Sequence, residues 1–78
     1  MAPRREPQAG LGAAIREQRK RLGLSQEELA DRADTHPTWI SHLESGRKNP
    51  AWGTVERIAR ALEIKVSDLA TRAEELEN

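Results

Sequence analysis

The strongest constraint on the fold is a pair of short amphipathic segments with almost no chain between them. The first begins at Ser25, which together with Glu28 forms the S-x-x-E capping box of a helix N-terminus. The second begins at His36, the predicted N-cap, with Pro37 at the first helical position, where a missing N–H costs nothing. Only about three or four residues around Asp34 connect them, and so short a connection makes two helices cross steeply. The sequence therefore predicts two crossed helices at the centre of the chain, a helix-turn-helix.

Apolar residues at helical spacing predict three further helices around this central pair. Helix 1 is expected at about residues 11–22, helix 4 at about 52–62 and helix 5 at about 66–76. The composition agrees, because Ala, Leu, Glu and Arg are frequent and favour helices. The predicted fold class is therefore all-α, a compact domain of five short helices with tight connections.

The first ten residues, MAPRREPQAG, contain two prolines and a glycine and show no helical periodicity. They are predicted to form a flexible N-terminal arm, and residues 11–78 are predicted to form the domain. Gly23 and Gly46 are expected to end helices 1 and 3. Gln18 falls on the apolar stripe of helix 1, where an apolar residue would be expected.

Several classes of protein are disfavoured by the composition. The 78 residues include no cysteine, which excludes disulfide bonds and thiolate metal sites, and the two histidines supply no zinc ligand set at a usual spacing. We therefore expect no metal and no cofactor. No apolar run approaches the ~18 residues of a membrane span and no signal peptide is visible, so a cytoplasmic protein without membrane contact is expected. The sequence shows no nucleophile–base pair and no phosphate-binding loop, so we do not expect an enzyme.

The formal net charge is zero, but the charges are segregated along the chain. The net charge is +4 over residues 1–24, −4 over 25–46, +3 over 47–62 and −3 over 63–78. Two basic blocks that are separated in sequence produce one positive face if the fold brings them together.

Four stretches of the chain resemble the Cro/repressor-type (XRE) helix-turn-helix domains of phage repressors and bacterial regulators. The resemblance extends from about Leu11 to Leu69. It implies a regulator of transcription that binds double-stranded DNA in a sequence-specific manner, with helix 2 across the phosphates and helix 3 in the major groove. The matching stretches are LSQEELA at 24–30, ISHLESG at 40–46, NP at 49–50 and IARALEI at 58–64.

The resemblance also implies roles for individual side chains. Bases would be contacted by the outward face of helix 3, namely by Pro37, Thr38, Ser41 and His42. Phosphates would be contacted from helix 2, from the start of helix 3 and from the loop that follows it, namely by Gln26, His36, Arg47, Lys48 and Asn49. An internal ion pair would join helix 1 to the two-helix unit, with Arg19 and Glu44 as its members.

Several of these residues also have an interpretation that involves no specific functional role. His42 is also compatible with a solvated surface histidine, and Pro37 with a residue that only starts a helix. Gln26 favours helices in any context, and Arg19 and Glu44 could each be solvated, where ion pairs contribute little. Thr38 and Ser41 are of types common on exposed helix faces, and Trp39 fits partial burial better than base stacking.

Two positions depart from the family pattern. Asp34 stands in the turn where the family usually has a glycine, because the backbone there is left-handed. Ala51 stands before helix 4, where a capping Ser or Thr is common. Both departures predict a somewhat less stable domain.

One unit of this size makes few base contacts, and each good bidentate contact discriminates by only ~1–3 kcal/mol. We therefore expect a homodimer on an inverted-repeat operator whose two half-sites lie ~34 Å apart. The alternative is a protein-interaction module, such as an antitoxin, that has an unidentified protein partner and binds little DNA. The zero net charge and the acidic helix 2 favour that alternative. The predicted dimer surface is the apolar stripe of helix 5, formed by Val66, Leu69, Ala73 and Leu76.

Overall fold

A computed structural model describes residues 9–77, and most of them belong to five α-helices. No strand is present in this part of the chain. The predicted all-α fold class, with five helices and a helix-turn-helix formed by the second and third, is confirmed. The helices are α1 at Ala9–Arg21, α2 at Gln26–Arg32, α3 at Pro37–Glu44, α4 at Trp52–Ala61 and α5 at Val66–Leu76.

The first helix begins two residues before the expected Leu11, so Ala9 and Gly10 belong to α1 and not to the predicted arm. Gly10 is buried, and a Cβ added there would overlap the carbonyl oxygen of Ala73 in α5. The glycine therefore permits α1 and α5 to pack closely, which explains why a residue suited to a loop lies in a helix. The rest of the predicted arm, residues 1–8, lies outside the described residues.

The same C-terminal motif ends each of the first four helices. After α2, for example, the amide of Thr35 donates to the carbonyl of Ala30 at 2.8 Å and the amide of Asp34 to that of Asp31 at 3.2 Å. Each motif needs one residue with a left-handed backbone, and Glu63 fills this position after α4 although nothing in the sequence predicted it. The four residues and their φ angles are Gly23 at 72°, Asp34 at 54°, Gly46 at 77° and Glu63 at 58°.

One polar side chain enters the core for a structural reason. Gln18 of α1 donates through Nε2 to the carbonyl oxygen of Leu62 at 3.2 Å, where α4 has just ended. A carbonyl at a helix C-terminus has no partner within its own helix, so the glutamine supplies one. The largest fully buried side chains of the core are those of Ile15, Leu29, Ile40, Leu43, Ile58, Leu62 and Leu69.

The last helix, α5, packs along α1 and also contacts α4. Leu69 and Ala73 are only 1% and 8% exposed, so they belong to the core of the domain itself. The predicted dimer surface on α5 stays a prediction, and α1 and α4 both pack against this helix. Val66 and Leu76 are partly buried against the same core.

An exposed ion pair reinforces the contact between α1 and α5. Arg72 donates to the carboxylate of Glu17 from Nε at 2.7 Å and from Nη2 at 2.8 Å. These hydrogen bonds lower the pKa of Glu17 and raise the pKa of Arg72. Both side chains remain in contact with water, so the pair is expected to contribute little to stability.

A second ion pair, between Arg19 and Glu44, is almost completely buried, with side chains 11% and 5% exposed. The guanidinium of Arg19 donates to the carboxylate from Nε at 2.6 Å and from Nη2 at 3.0 Å. It also donates from Nη1 to the carbonyl oxygen of Leu24 at 2.7 Å. The hydrogen bonds to Glu44 raise the pKa of Arg19. One side chain of α1 therefore holds both the C-terminal end of α3 and the segment that leads into α2.

We predict that Gly12→Ala lowers the free energy of unfolding by about 1–3 kcal/mol, the usual cost of forcing extra atoms into a packed site. A Cβ at Gly12 would overlap the carbonyl oxygen of Leu43 and lie 2.8 Å from that of Glu44. The control is Gly53→Ala, since a Cβ there meets nothing within 4 Å and should raise stability by about 0.5–1 kcal/mol. Urea denaturation followed by circular dichroism measures both. Equal stabilities of the two variants would contradict the close approach of α1 to α3.

We also predict that Glu44→Ala lowers the free energy of unfolding by about 3–5 kcal/mol, because it leaves the buried guanidinium of Arg19 without its charged partner. Glu17→Ala removes the same side chain from the exposed pair with Arg72 and should change stability far less. Chemical denaturation of the two variants under identical conditions compares them. A similar loss of stability in both variants would show that burial does not increase the contribution of the Arg19–Glu44 pair to stability.

Candidate nucleic-acid interface

The two central helices begin as the local sequence dictates. The hydroxyl of Ser25 accepts a hydrogen bond from the amide of Glu28 at 3.0 Å, and the Glu28 carboxylate accepts one from the amide of Ser25 at 2.9 Å. The bond from the backbone amide of Ser25 lowers the pKa of Glu28, and the bond with its side chain adds to this effect. His36 is the N-cap of α3 without a side-chain capping bond, and Pro37 follows at the first position. The start of each helix is therefore locally determined.

The turn between α2 and α3 is held from outside the two-helix unit. Asp34 has the left-handed backbone expected in this turn, with φ of 54°. Ala33 directly precedes Asp34, and Arg57 of α4 donates from Nε to the carbonyl oxygen of Ala33 at 3.2 Å. Sequence reasoning missed this contact, because an arginine on the polar side of a helix looks the same whether or not it has a distant partner.

The third helix has an inner and an outer face. Ile40 and Leu43 are buried in the core, and Trp39 is half-buried against it, which agrees with a packing role. Thr38 and Ser41 are exposed. All four residues predicted to contact bases lie outside the buried core, with Pro37 and His42 half-buried and the other two exposed.

A shallow open groove lies between the start of α2 and the outer face of α3. Gln26 is half-buried beside it and donates from Nε2 to Oε1 of Glu44 at 3.1 Å. The residue predicted to contact phosphate therefore also bonds to the buried ion pair. The groove brings this glutamine together with three of the predicted base contacts, and its lining residues are Arg19, Ser25, Gln26, Glu27, Pro37, Thr38 and Ser41.

A second, smaller groove shares Arg19, Gln26 and Ser41 with the first and adds Arg16 of α1. Arg16 is exposed and comes from the first basic block of the sequence. At least one cation of that block therefore lies beside the outer face of α3. The residues that line this groove are Arg16, Arg19, Gln26, Ser41, Glu44 and Ser45.

The remaining predicted phosphate contacts follow α3 directly. Arg47, Lys48 and Asn49 are all exposed, and the backbone amide of Arg47 donates to the carbonyl of His42 at 2.9 Å. This bond fixes the start of the loop to the end of the helix. His36 is exposed at the opposite end of α3, so the predicted phosphate contacts lie at both ends of the helix.

Together these surfaces present hydroxyl, imidazole, amide and cationic groups next to one another. Phosphate oxygens are bound by cationic and amide donors, and base edges by hydroxyl, amide and imidazole groups. Within residues 9–77, no cluster of three or more His, Cys, Asp or Glu side chains is arranged to hold a metal ion. Each helix in this range is too short or too polar to cross a lipid bilayer.

Comparison with known proteins agrees with this geometry. Residues 10–72 match a family model described as a helix-turn-helix domain. The control protein C.BamHI of Bacillus amyloliquefaciens is 37% identical over 59 residues, which cover 74% of this chain and 73% of that protein. The competence pilus inhibition repressor of Acinetobacter baylyi is 37% identical over 68 residues, which cover 87% of this chain and 62% of the repressor.

A solved structure shares this fold. The crystal structure of the clp gene regulator ClgR from C. glutamicum superimposes with a TM-score of 0.94 at 31% sequence identity, and both chains are covered completely. The family match includes all of α2 and α3 together with the loop that follows them. The resemblance seen in the sequence motifs is thereby confirmed. The chain belongs to the Cro/repressor-type helix-turn-helix family of DNA-binding transcriptional regulators.

Proposed function

We propose that this protein is a repressor or autoregulator of transcription that binds an inverted-repeat operator in double-stranded DNA as a homodimer. The observation that carries this proposal is the outer face of α3. It exposes Thr38 and Ser41 beside Gln26, while the opposite face of the same helix is fixed in the core. A rigid helix with small polar residues on its free side is suited to insertion into the major groove.

The base contacts are assigned to the side chains on this outer face. The hydroxyls of Thr38 and Ser41 can donate or accept at base edges, and the Thr38 methyl can pack against thymine. His42 lies one turn further along α3 and can donate to N7 or O6 of guanine. Pro37 lines the same groove and supplies an apolar contact.

The phosphate contacts are assigned to groups that flank the recognition helix α3. Gln26 and His36 lie before or at its start, and Arg47, Lys48 and Asn49 follow its end. Such contacts fix orientation on the duplex without selecting a sequence. Because Arg47 and Lys48 are cationic, each phosphate that they neutralise should add ~0.9 to the slope of log affinity against log salt concentration.

The homodimer requires an accessible apolar surface, and Val66, Leu69 and Ala73 of the predicted α5 stripe line a groove that offers one. Trp52 is 64% exposed and is the one exposed large hydrophobic residue among residues 9–77. It borders a shallow, largely apolar groove, and an exposed aromatic residue at such a place is typical of an interaction surface. The residues that line the groove are Leu11, Asn49, Pro50, Trp52, Val55, Val66, Leu69, Ala70 and Ala73.

We assign this groove, which we call the Trp52 surface, to a second copy of the chain. It begins at Asn49 and Pro50, in the loop directly after α3. A twofold contact through this surface would place the loops that follow α3 near the twofold axis, with one copy of α3 for each half-site of an inverted repeat. The repressor role is supported by the relative named as a competence pilus inhibition repressor, and a regulatory role by the relative named as a control protein.

Selection of a random duplex pool at near-physiological salt tests the operator, and His42→Ala tests one of its contacts. We expect enrichment of an inverted repeat and, for His42→Ala, a relaxed preference at one position per half-site, since a good base contact is worth ~1–3 kcal/mol. The control Lys48→Ala should weaken binding to all sequences alike, because phosphates carry no sequence information. A uniform loss for His42→Ala would contradict its base contact. No retention of any duplex would instead favour the protein-interaction alternative.

The dimer surface is tested by Trp52→Ala. Truncation of a central aromatic residue at an interface typically costs about 2 kcal/mol or more, so the dissociation constant of the dimer should rise at least about 30-fold. Analytical ultracentrifugation over a micromolar concentration series measures this constant. Asp31→Ala, a substitution of an exposed residue on α2 that does not line the groove, serves as the control and should leave the constant unchanged. An unchanged sedimentation profile for Trp52→Ala would exclude the Trp52 surface.

A further inference from the structure

The carboxylate of Glu44 accepts hydrogen bonds from two side chains that belong to different helices. Arg19 of α1 donates to both oxygens, at 2.6 and 3.0 Å, and Gln26 of α2 donates to Oε1 at 3.1 Å. A carboxylate can only accept, so the amide of Gln26 must turn its NH2 group towards it. Because the Glu44 side chain is only 5% exposed, water competes weakly for this bond.

This contact decides which groups of Gln26 remain for other partners. An exposed glutamine exchanges the positions of its amide nitrogen and oxygen by rotation about one broad torsion. Gln26 cannot do so without placing its oxygen against the oxygens of Glu44. One N–H and the amide oxygen therefore remain, and they belong to a side chain that lines the groove with Thr38 and Ser41.

Glu44 is itself unable to move aside. Its guanidinium partner, Arg19, is held by a third hydrogen bond to the carbonyl oxygen of Leu24 at 2.7 Å. The backbone around Glu44 is also close to α1, since a Cβ at Gly12 would lie 2.8 Å from its carbonyl oxygen. The orientation of Gln26 is thus determined by the same contacts that hold α1 against α3.

We propose that Glu44 is a positioning residue for DNA binding, which fixes the amide of Gln26 so that its second N–H is ready to donate to a phosphate oxygen. The inference rests on the proposed function. Its physical advantage is that the rotamer freedom of a long polar side chain is lost on folding and does not oppose association with DNA. Glu44 acts through Gln26 and does not itself contact the nucleic acid.

A double-mutant cycle on DNA affinity tests this inference. The four proteins are the wild type, Glu44→Gln, Gln26→Ala and the double variant, each measured by fluorescence anisotropy on the selected operator duplex at one pH and salt concentration. Glu44→Gln retains an acceptor for Arg19 but allows the Gln26 amide to adopt either orientation. It also removes a negative charge near the DNA, and the Gln26→Ala background measures that effect separately. We expect the loss of DNA affinity caused by Glu44→Gln to be about ten-fold larger when Gln26 is present than in the Gln26→Ala background.

The control is Glu17→Gln, the same substitution in the ion pair with Arg72 on the α1–α5 contact, and it should leave affinity unchanged. Circular dichroism establishes that each protein is folded at the temperature used. If Glu44→Gln has the same effect on affinity with and without Gln26, the pair is only structural and the inference is overturned. Failure of the wild type to bind any duplex would overturn the proposed function, and this inference with it.

A measurement on the wild-type protein covers the case in which Glu44→Gln does not fold. NMR relaxation of side-chain amides reports their mobility on the picosecond to nanosecond timescale. The amide of Gln18, which is bonded to the carbonyl of Leu62, provides the rigid reference. We expect the amide of Gln26 to be equally restricted in the absence of DNA. A highly mobile Gln26 amide would overturn the inference.

Discussion

The buried contact between Arg19 and Glu44 determines how the recognition surface is held together. A buried carboxylate and guanidinium are tolerated only when paired with good geometry and with their other hydrogen-bonding groups satisfied. Here the pair joins α1, the segment before α2 and the end of α3 at one point. Any shift of one element would leave a charge without its partner in a poorly hydrated place. The relative positions of the three elements are therefore coupled, and the groove between α2 and α3 has a defined shape.

Small residues allow this pair to form. Gly10 and Gly12 are buried, and a Cβ on either would overlap backbone of α5 or α3. The start of α1 therefore lies at close range against two other helices, against α5 at Gly10 and against α3 at Gly12. In a domain of this size, about 60% of the unfolded surface is buried, so close backbone contact compensates for a small number of large core side chains. The first helix is the support for both the recognition helix and the last helix.

Most of the fold could be predicted from local sequence patterns. The features that could not be predicted depend on contacts between residues that are distant in sequence. The capping box at Ser25, and Pro37 at the start of α3, mark helix N-termini by themselves, and the family motifs indicate the outer face of α3. Periodicity shows that α5 has an apolar face but not how deeply its residues are buried, so it did not reveal that Leu69 is only 1% exposed. Arg57 and Gln18 donate to carbonyls far away in sequence, and no local pattern reveals such partners. The DNA-contacting roles remain predictions.

The division of α3 into two faces has a consequence for how such a regulator can diverge. Ile40 and Leu43 face the core, so a change there endangers folding. Thr38 and Ser41 are exposed and contribute no side chain to that core. Under the proposed base contacts, new operators can therefore be acquired by substitutions that leave the stability of the domain nearly unchanged. The product of a duplicated gene can thus change its DNA specificity while it retains the same fold.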